Sequence, residues 1–359
     1  MLGASYFGAG SVVAQSPEGG VAAAGAASIS QTATTSVIQQ SSHRAIIDWQ
    51  GFDVGRDHTV VFDQLGRSSA TLNRVQSVTP SLIEGTITAP GTVVIQNTAG
   101  VLFSGTARVD TGGLVASSQI VDADHFMSSG NFRIGGGERP GARVVNEGSF
   151  TIGDAGLAAL VGTDVENAGV ISAHMGTVTL ASGTTTTIDL SGDGVFQVAV
   201  DGAPQGGRVT QSGSVDVSGG RVLLTASGAA GALDSVINTS GVIRAASGAR
   251  KGGSIELVGR GGGGVRVAGT VNASSEESSG GSIWVLGETV EIPAAARLWA
   301  DGGKDGGSIL AGGDVKGGGD LRTAQQTRVA SGQNFPRMAL RAPAVTWSSG
   351  PTTARGLTA

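Results

Sequence analysis

The chain contains no cysteine, and this absence excludes several classes of protein at once. Disulfide scaffolds, zinc knuckles, iron–sulfur clusters and thiol nucleophiles all require cysteine. Charge is also sparse, because Asp, Glu, Lys and Arg make up 14% of the residues and the net charge is −5. The 23 Lys and Arg residues are spread thinly and form no basic stripe, so nucleic acid is not an expected partner.

Aromatic residues and long apolar segments are scarce as well. Aromatics make up 4% of the chain, and no window approaches the roughly 18 consecutive apolar residues of a membrane-spanning helix. The hydrophobic share of 39% is too high for intrinsic disorder, whereas 62 glycines and many Ser and Thr residues disfavour long helices. These features indicate an all-β chain with many turns.

An internal repeat gives the fold prediction. Gly-Gly-Ser-Ile occurs at 252–255, 280–283 and 306–309, and the segment 146–150 (NEGSF) recurs at 167–171 (NAGVI). Periods of 21 to 28 residues built from short strands and glycine turns are typical of a parallel β-helix, in which stacked coils share one apolar core. Asn at the same place in successive coils can form a hydrogen-bonded ladder. A β-sandwich or a propeller would need strand or blade signatures that the sequence lacks.

Between residues 46 and 126 the chain carries an ordered series of short motifs. They are 46–55 (IIDWQGFDVG), 60–62 (VVF), 72–75 (LNRV), 83–87 (IEGTI), 91–103 (GTVVIQNTAGVLF), 114–118 (LVASS) and Phe126. In type and order the series resembles the two-partner secretion (TPS) domain of filamentous-haemagglutinin-like exoproteins, also called the haemagglutinin activity domain family. The resemblance covers roughly residues 19–330 and implies a right-handed parallel β-helix with an N-terminal cap and short extra-helical hairpins.

Two turn motifs of that family are retained only in part. The N-P-N-G signature reads Asn97-Thr98-Ala99-Gly100, and an earlier N-P-N-L-like element reads Thr79-Pro80-Ser81-Leu82. Asn97 and Gly100 are the residue types that a tight turn needs, so both motifs are interpreted as structural turns and not as catalytic or direct recognition groups. If Asn97 has a positive φ, a β-branched replacement there would strain the turn.

The N-terminal cap is expected to come from residues 19–75. Its predicted core comprises Trp49, Phe52, Phe62, Asn73 and Arg74. The small, apolar and uncharged residues 2–14 resemble the end of a secretory signal peptide. The chain is thus expected to have four parts: the end of a signal peptide (1–14), a TPS domain of cap plus first coils (15–240), continuing β-helix repeats (241–332) and an atypical tail (333–359). Because residues 335–350 become rich in Pro and Arg and lose strand alternation, we interpret this tail as out of frame.

The resemblance implies an N-terminal secretion domain of a large bacterial exoprotein of the adhesin or haemagglutinin type, associated with virulence. Its partner would be an outer-membrane transporter of the Omp85/TpsB type with POTRA domains. The chain would cross the periplasm extended and fold outside the cell, as a monomer, at the cell surface or in the medium. Host-cell or bacterial surface receptors or glycans are candidate ligands of the folded rod. The alternative is the stalk of a contact-dependent toxin or of a haem-binding exoprotein.

The sequence offers few groups for catalysis. His43, His58, His125 and His174 are scattered without metal-ligand spacing, and no metal or other cofactor is expected. Asp53 with Asp57, or Asp122 with Asp124, could imitate the carboxylate pair of a β-helix polysaccharide lyase or hydrolase. No cluster of Asp, Arg and Lys recurs at the coil period, so the sequence predicts that the chain is not an enzyme.

Overall fold

The computed structural model describes residues 16–128, 131–189, 198–201, 207–228, 235–248, 252–313, 323–330 and 345–348. The expected end of a signal peptide, residues 1–14, lies outside these residues. Strands dominate the described part of the chain. In chain order the elements are β1 (Val21–Ala24), β2 (Ala27–Gln31), β3 (Thr35–Gln40), β4 (Arg44–Trp49), β5 (Thr59–Asp63), β6 (Ala70–Val75), β7 (Ser81–Ile83), β8 (Thr86–Asn97), β9 (Val101–Phe103), β10 (Arg108–Ser117), α1 (Ala123–Ser128), β11 (Asn131–Gly135), β12 (Arg143–Asn146), β13 (Ser149–Ile152), β14 (Leu157–Val161), β15 (Asp164–Asn167), β16 (Val170–Ala173), β17 (Thr177–Ser182), β18 (Thr185–Asp189), β19 (Val198–Asp201), β20 (Arg208–Gln211), β21 (Ser214–Asp216), β22 (Arg221–Gly228), β23 (Ser235–Thr239), β24 (Val242–Arg244), β25 (Ser254–Gly261), β26 (Gly264–Val267), β27 (Thr270–Asn272), β28 (Ser282–Leu286), β29 (Thr289–Ile292), β30 (Arg297–Trp299), β31 (Ser308–Ala311), β32 (Gln326–Ala330) and β33 (Val345–Ser348).

These strands stack in parallel along three faces. From β13 to β32 each coil adds one strand to each face, whereas the long strands β8 and β10 each span the first and second faces. The first face runs β3–β5–β8–β10–β13–β16–β21–β24–β27–β30. The second runs β4–β6–β8–β10–β14–β17–β22–β25–β28–β31. The third is the ten-stranded sheet β7–β9–β12–β15–β20–β23–β26–β29–β32–β33. The molecule is therefore a parallel β-helix, which confirms the predicted fold class.

The Gly-Gly-Ser-Ile repeat occupies one position in three successive coils. Ile255, Ile283 and Ile309 lie side by side in register on the second face, with their side chains in the core. The glycine two residues before each isoleucine is required by close stacking of the coils. A Cβ atom on Gly281 would lie 2.0 Å from the carbonyl oxygen of Gly253, and one on Gly307 would lie 2.1 Å from that of Gly281. The repeat therefore encodes both the core column and the corner that precedes it.

A buried ladder of amides crosses three coils on the third face. The Nδ2 group of Asn146 donates to Oδ1 of Asn167 at 2.7 Å, and Nδ2 of Asn167 donates to Oε1 of Gln211 at 2.8 Å. All three side chains are fully buried, so each bond satisfies a polar group that has lost its contact with water. The predicted asparagine ladder is confirmed for Asn146 and Asn167, and a glutamine continues it.

Two excursions leave the coils and pack on the outside of the second face. They contribute α1 and the three-stranded antiparallel sheet β11–β18–β19. Phe126 and Phe132 meet edge to face at 5.6 Å beneath this sheet, and the guanidinium of Arg44 lies 5.5 Å from the centroid of the Phe126 ring. The predicted extra-helical hairpins are thus present. Among the described residues no helix is long and apolar enough to cross a bilayer, since α1 has six residues.

The proposed boundaries of the chain's four parts remain predictions. Of the atypical tail, residues 333–359, the structure describes Val345–Ser348, and the rest lies outside the described residues. Val345–Ser348 forms β33, which pairs in parallel register with β32. This strand differs from the expectation of a tail without strand structure, because Val345 and Thr346 suit a pleated sheet despite the prolines before them.

Candidate functional site

The two turn motifs lie next to each other in consecutive coils. Residues 79–82 lead into β7, and residues 97–100 connect β8 to β9. Because β7 and β9 pair in parallel, with Ser81 opposite Val101, one turn stacks directly on the other. The β-helix therefore joins two elements that are separated in the sequence.

Asn97 links the two turns through its side chain. Its Nδ2 group donates to the backbone oxygen of Thr79 and to Oγ of Ser81, each at 3.0 Å. Its Oδ1 atom accepts a 2.9 Å hydrogen bond from the backbone N–H of Ala99. The residue is completely buried, so these bonds are shielded from water.

The backbone of Asn97 is not in the left-handed region. Among the described residues, the non-glycine positions with positive φ are Ala155, Met175 and Ser218. The condition for backbone strain on substitution of Asn97 is therefore not met, because this residue ends a strand and acts through its amide group. The residue of this turn with a positive φ is Gly100, whose φ is 122°.

Gly100 fits between neighbouring coils. Its N–H donates to the carbonyl oxygen of Asn97 at 2.8 Å, and its own carbonyl accepts from the N–H of Ser81 at 3.0 Å. A Cβ atom here would lie 2.8 Å from the backbone oxygen of Arg143 in the following coil. The backbone N–H of Arg139 also donates to the oxygen of Thr98 at 2.9 Å. The turn is thus enclosed by the coil before it and the loop after it.

The eight motif residues differ in their access to solvent. Asn97, Ala99, Gly100 and Ser81 are buried. Leu82 and Thr98 are half-buried, whereas Thr79 and Pro80 are exposed. In the folded protein a partner could reach the exposed rim of the first turn but not the amide at the centre of the second.

The aromatic residues of the predicted cap core pack inside the first coils. Trp49, Phe52 and Phe62 are at most 1% exposed, and the rings of Trp49 and Phe52 meet edge to face at 5.3 Å. The indole N–H of Trp49 donates to Oδ1 of Asn73 at 3.0 Å, and Nδ2 of Asn73 donates to the oxygen of Val94 at 3.1 Å. Asn73 is therefore a buried bridge across three successive coils.

Arg74 lies outside the core. It forms a half-exposed, bidentate ion pair with Asp48 of the preceding coil, with N–O distances of 2.6 and 2.9 Å. Because its side chain projects from the opposite side of the strand to Asn73, the alternation of β6 places it on the outer surface. The prediction that groups Arg74 with the buried aromatics is corrected in this respect.

The N-terminal strands cover the end of the β-helix. β1 pairs antiparallel with β4, and β2 pairs antiparallel with β3. Both strands therefore cover the outer edge of the first coil, and the parallel stacking ends there. Gly20 lies so close to Trp49 that a Cβ atom would meet the indole ring at 2.4 Å. This arrangement places a cap over the first core layer, within the range expected from the sequence.

Asp53 connects the cap to the first turn motif, a role that the sequence did not indicate. Its Oδ1 atom accepts a 2.8 Å hydrogen bond from the backbone N–H of Leu82, which lies 29 residues further along the chain. The carboxylate is thus used in structure. The alternative in which Asp53 and Asp57 imitate a catalytic carboxylate pair has no support in this contact.

The second candidate carboxylate pair lies at the start of α1, with Asp122 directly before the helix and Asp124 in its first turn. Asp122 is bonded to His125, whose backbone N–H and ring Nδ1 lie 3.1 and 2.8 Å from the two carboxylate oxygens. These hydrogen bonds, the backbone bond first, lower the pKa of Asp122. Asp122 therefore acts as a local helix cap on an exposed surface.

A buried Ser–His pair was also missed by sequence reasoning, because its members are 22 residues apart. Oγ of Ser36 lies 2.9 Å from Nε2 of His58, and both residues are at most 1% exposed. The Nδ1 atom of His58 makes no hydrogen bond to another described residue, so no carboxylate orients the ring as in a nucleophile–base–acid triad. Burial lowers the pKa of His58, which keeps the imidazole neutral in the folded protein.

Metal-binding clusters are likewise not found within the described ranges, where no three His, Asp or Glu side chains converge. The features that the structure brings together are thus two stacked turns, a buried amide that joins them and an N-terminal cap. They bind one part of the chain to another. None of them places a reactive group in an open cavity.

Comparison with known proteins identifies the family. A family model described as the TPS secretion domain matches residues 13–273. Two proteins from Haemophilus influenzae, both named heme/hemopexin-binding protein, are 30% identical over 222 residues and 29% identical over 250 residues. The matches cover 59% and 63% of this chain but 24% and 26% of those proteins, so the chain spans about a quarter of their length.

A solved structure shares the fold. The HMW1 secretion domain from Haemophilus influenzae matches 92% of this chain and 100% of its own length, with a TM-score of 0.78 and 22% sequence identity. At this identity the likeness concerns the fold, whereas the family match rests on most of the sequence. The chain therefore belongs to the TPS secretion domain family and carries a secretion domain of the two-partner type.

Proposed function

We propose that this chain is the N-terminal export unit of a longer surface adhesin, recognised by a cognate outer-membrane transporter of the TpsB type through periplasmic POTRA domains. The polypeptide crosses the periplasm unfolded and forms its β-helix outside the cell. The observation that carries the proposal is the complete burial of Asn97. Its side chain joins the two turn motifs, residues 79–82 and 97–100, which we call the secretion turns. An extended chain exposes all eight motif residues, whereas the folded coils enclose Asn97 and leave the rim of the first turn exposed.

Folding outside the cell would give export its direction, because a folded coil cannot slide back. Each coil contacts its neighbours and adds to the end of a growing stack, as in other solenoids. The cap formed by β1 and β2 covers the end that emerges first, so later coils can add to the other end. The absence of cysteine also prevents disulfides from fixing the chain in the periplasm.

We further propose that the chain has no catalytic activity of its own. The Ser–His pair is buried, and Asp53 and Asp122 accept hydrogen bonds from backbone N–H groups. The side chains that could take part in catalysis thus stabilise the structure instead. The names of the two Haemophilus influenzae relatives make heme or hemopexin binding the second candidate for the complete exoprotein. Such binding would belong to a part of the exoprotein outside the shared quarter of their length.

Co-expression tests the export proposal. The chain, preceded by a functional signal peptide, is produced with the cognate transporter, without it, and with a transporter that lacks its POTRA domains. We expect folded, protease-resistant protein in the medium only with the intact transporter. Equal release in all three strains would disprove the proposal, as would retention of the chain in the cells when the intact transporter is present.

A further inference from the structure

A surface groove opens where one corner of the β-helix changes shape. Between the first and second faces the coils turn tightly at 153–156, 174–176 and 217–220, whereas the next three connections are longer. Their described residues are 245–248 with 252–253, 273–281 and 300–307. The longer loops project beyond the tight turns and form a step. A groove of about 440 Å³ lies against this step.

The projecting loops are fastened to each other by backbone hydrogen bonds. The N–H of Ser247 donates to the oxygen of Ser274 at 2.9 Å, and the N–H of Ser275 donates to the oxygen of Asp301 at 2.8 Å. Ser247, Ser275 and Gly302 also form parallel bridges from coil to coil. The wall of the groove is therefore an ordered extension of the parallel stack, and it can hold side chains in fixed places.

Arg244 lines the groove, and in its row of paired strands it lies between two side chains that already accept hydrogen bonds. Asp216, one coil before, accepts 3.0 Å hydrogen bonds from the N–H and Oγ of Ser218. Asn272, one coil after, accepts a 2.9 Å bond from the N–H of Ser274. Each neighbour thus already accepts a hydrogen bond from its own turn.

The ion pair of Arg244 is the loosest of those that join described coils. Its Nε atom lies 3.9 Å from Oδ2 of Asp216, whereas Arg74 and Asp48 approach to 2.6 Å and Arg208 and Asp164 to 2.8 Å. The side chain of Arg244 is also 56% exposed. A guanidinium has five N–H donors in a planar fork, and this one keeps donors available to a molecule in the groove.

The remaining lining adds an acceptor and an apolar surface. Glu276 is exposed on the projecting wall, and Met175, on the opposite side, is 40% exposed. Donors, a carboxylate acceptor and an apolar platform together match a sugar ring, whose hydroxyls both donate and accept and whose C–H face is apolar.

Charge decides between the classes of sugar. Asp216 lies beside Arg244 in its own row, and Glu276 lines the same groove. Two carboxylates thus stand against one guanidinium and would repel a second anion. We propose that this groove binds a short, neutral oligosaccharide, with Arg244 donating to and Glu276 accepting from its hydroxyl groups. The proposal goes beyond export, because the groove exists only after the coils have stacked.

Glycan binding by the purified, folded chain tests this proposal. The chain is applied to an array of immobilised neutral and acidic oligosaccharides, and the affinity of the best neutral binder is measured by calorimetry. We expect Arg244→Ala and Glu276→Ala each to weaken binding by about tenfold or more, as for the loss of a hydrogen bond to a charged group. Glu277→Ala is the matched control, since it removes an adjacent, exposed carboxylate that does not line the groove.

Several results would overturn the assignment. These are retention of no neutral glycan, retention of acidic glycans alone, and equal affinity of the wild type, Arg244→Ala and Glu276→Ala. Each variant is compared at an unchanged melting temperature. If Arg244→Ala melts early, Arg244→Lys replaces it, because lysine keeps the charge and loses the planar fork. Export of the variants through the transporter is expected at the wild-type level, so loss of glycan binding is distinguishable from loss of secretion.

Discussion

Replacement of Asn97 by alanine is expected to destabilise the β-helix by breaking the connection between its two secretion turns. The change removes the donated bonds to Thr79 and Ser81 and the bond accepted from Ala99. The bonds to Ser81 and Ala99 are buried, so their partners lose a hydrogen bond without gaining water. At about 1–3 kcal/mol for each buried group left unpaired, the expected loss is about 3 kcal/mol.

Urea unfolding followed by far-UV circular dichroism measures this loss. Thr98→Ala is the matched control, because Thr98 is half-buried in the same turn and its backbone oxygen, which accepts from Arg139, is retained. The control is expected to stay within about 0.5 kcal/mol of the wild type. If Asn97→Ala also stays within that limit, the side chain does not join the turns and the reasoning fails.

Asn97→Asp adds a dependence on pH. Burial raises the pKa of the new carboxyl group, so the folded state binds its proton more tightly than the unfolded state does. The stability of this variant should therefore be greatest at low pH and should fall as the pH rises through the raised pKa. A protonated carboxyl can also donate toward Thr79 or Ser81. A variant that is equally stable near pH 5 and pH 7 would show that position 97 is open to water.

Three further outcomes are expected. Asn167→Ala breaks the amide ladder on both sides and should lower the free energy of unfolding, measured in urea, by about 2–4 kcal/mol. A loss below about 0.5 kcal/mol would show that the ladder does not stabilise the fold. Because burial lowers the pKa of His58, the unfolded chain binds the proton first on acidification, so stability should fall as the pH drops from about 6.5 through the lowered pKa. His58→Gln should make the melting temperature less dependent on pH over this range. If the pH dependence of the variant equals that of the wild type, another group causes the loss of stability. A chain ending at residue 240, after the coil completed by β23, should still reach the medium with the cognate transporter, and its absence there would place essential coils beyond that point.

The sequence was sufficient to predict the β-helix because the determinants of the fold repeat along it. Ile255, Ile283 and Ile309 are spaced by one coil, so their periodicity predicts neighbours that the structure then shows in register. Asn146 and Asn167 form a ladder for the same reason. In a solenoid each coil meets the next, and sequence period translates directly into spatial contact.

Contacts that cross coils without repeating could not be predicted in this way. Oδ1 of Asp53 bonds to Leu82, and Ser36 meets His58, through positions that occur once in the chain. The sequence left open whether Asn97 has a positive φ, and the structure gives the positive φ to Gly100 because a strand continues as far as Asn97. The groove around Arg244 was also hidden, since it arises from a change in loop length at one corner and not from any local motif.

The chain's lack of cysteine allows the most direct test of export before folding. Ser81→Cys places one thiol at a 1% exposed position inside the secretion turns, and Thr79→Cys places one at the exposed rim. Labelling with a maleimide is compared between chains held in the periplasm of cells without the transporter and chains released by cells that contain it. The account predicts that Ser81→Cys reacts in the periplasm and is protected after release, while Thr79→Cys reacts in both places. Protection of Ser81→Cys already in the periplasm would contradict it, because the turns would then be folded before the transporter acts.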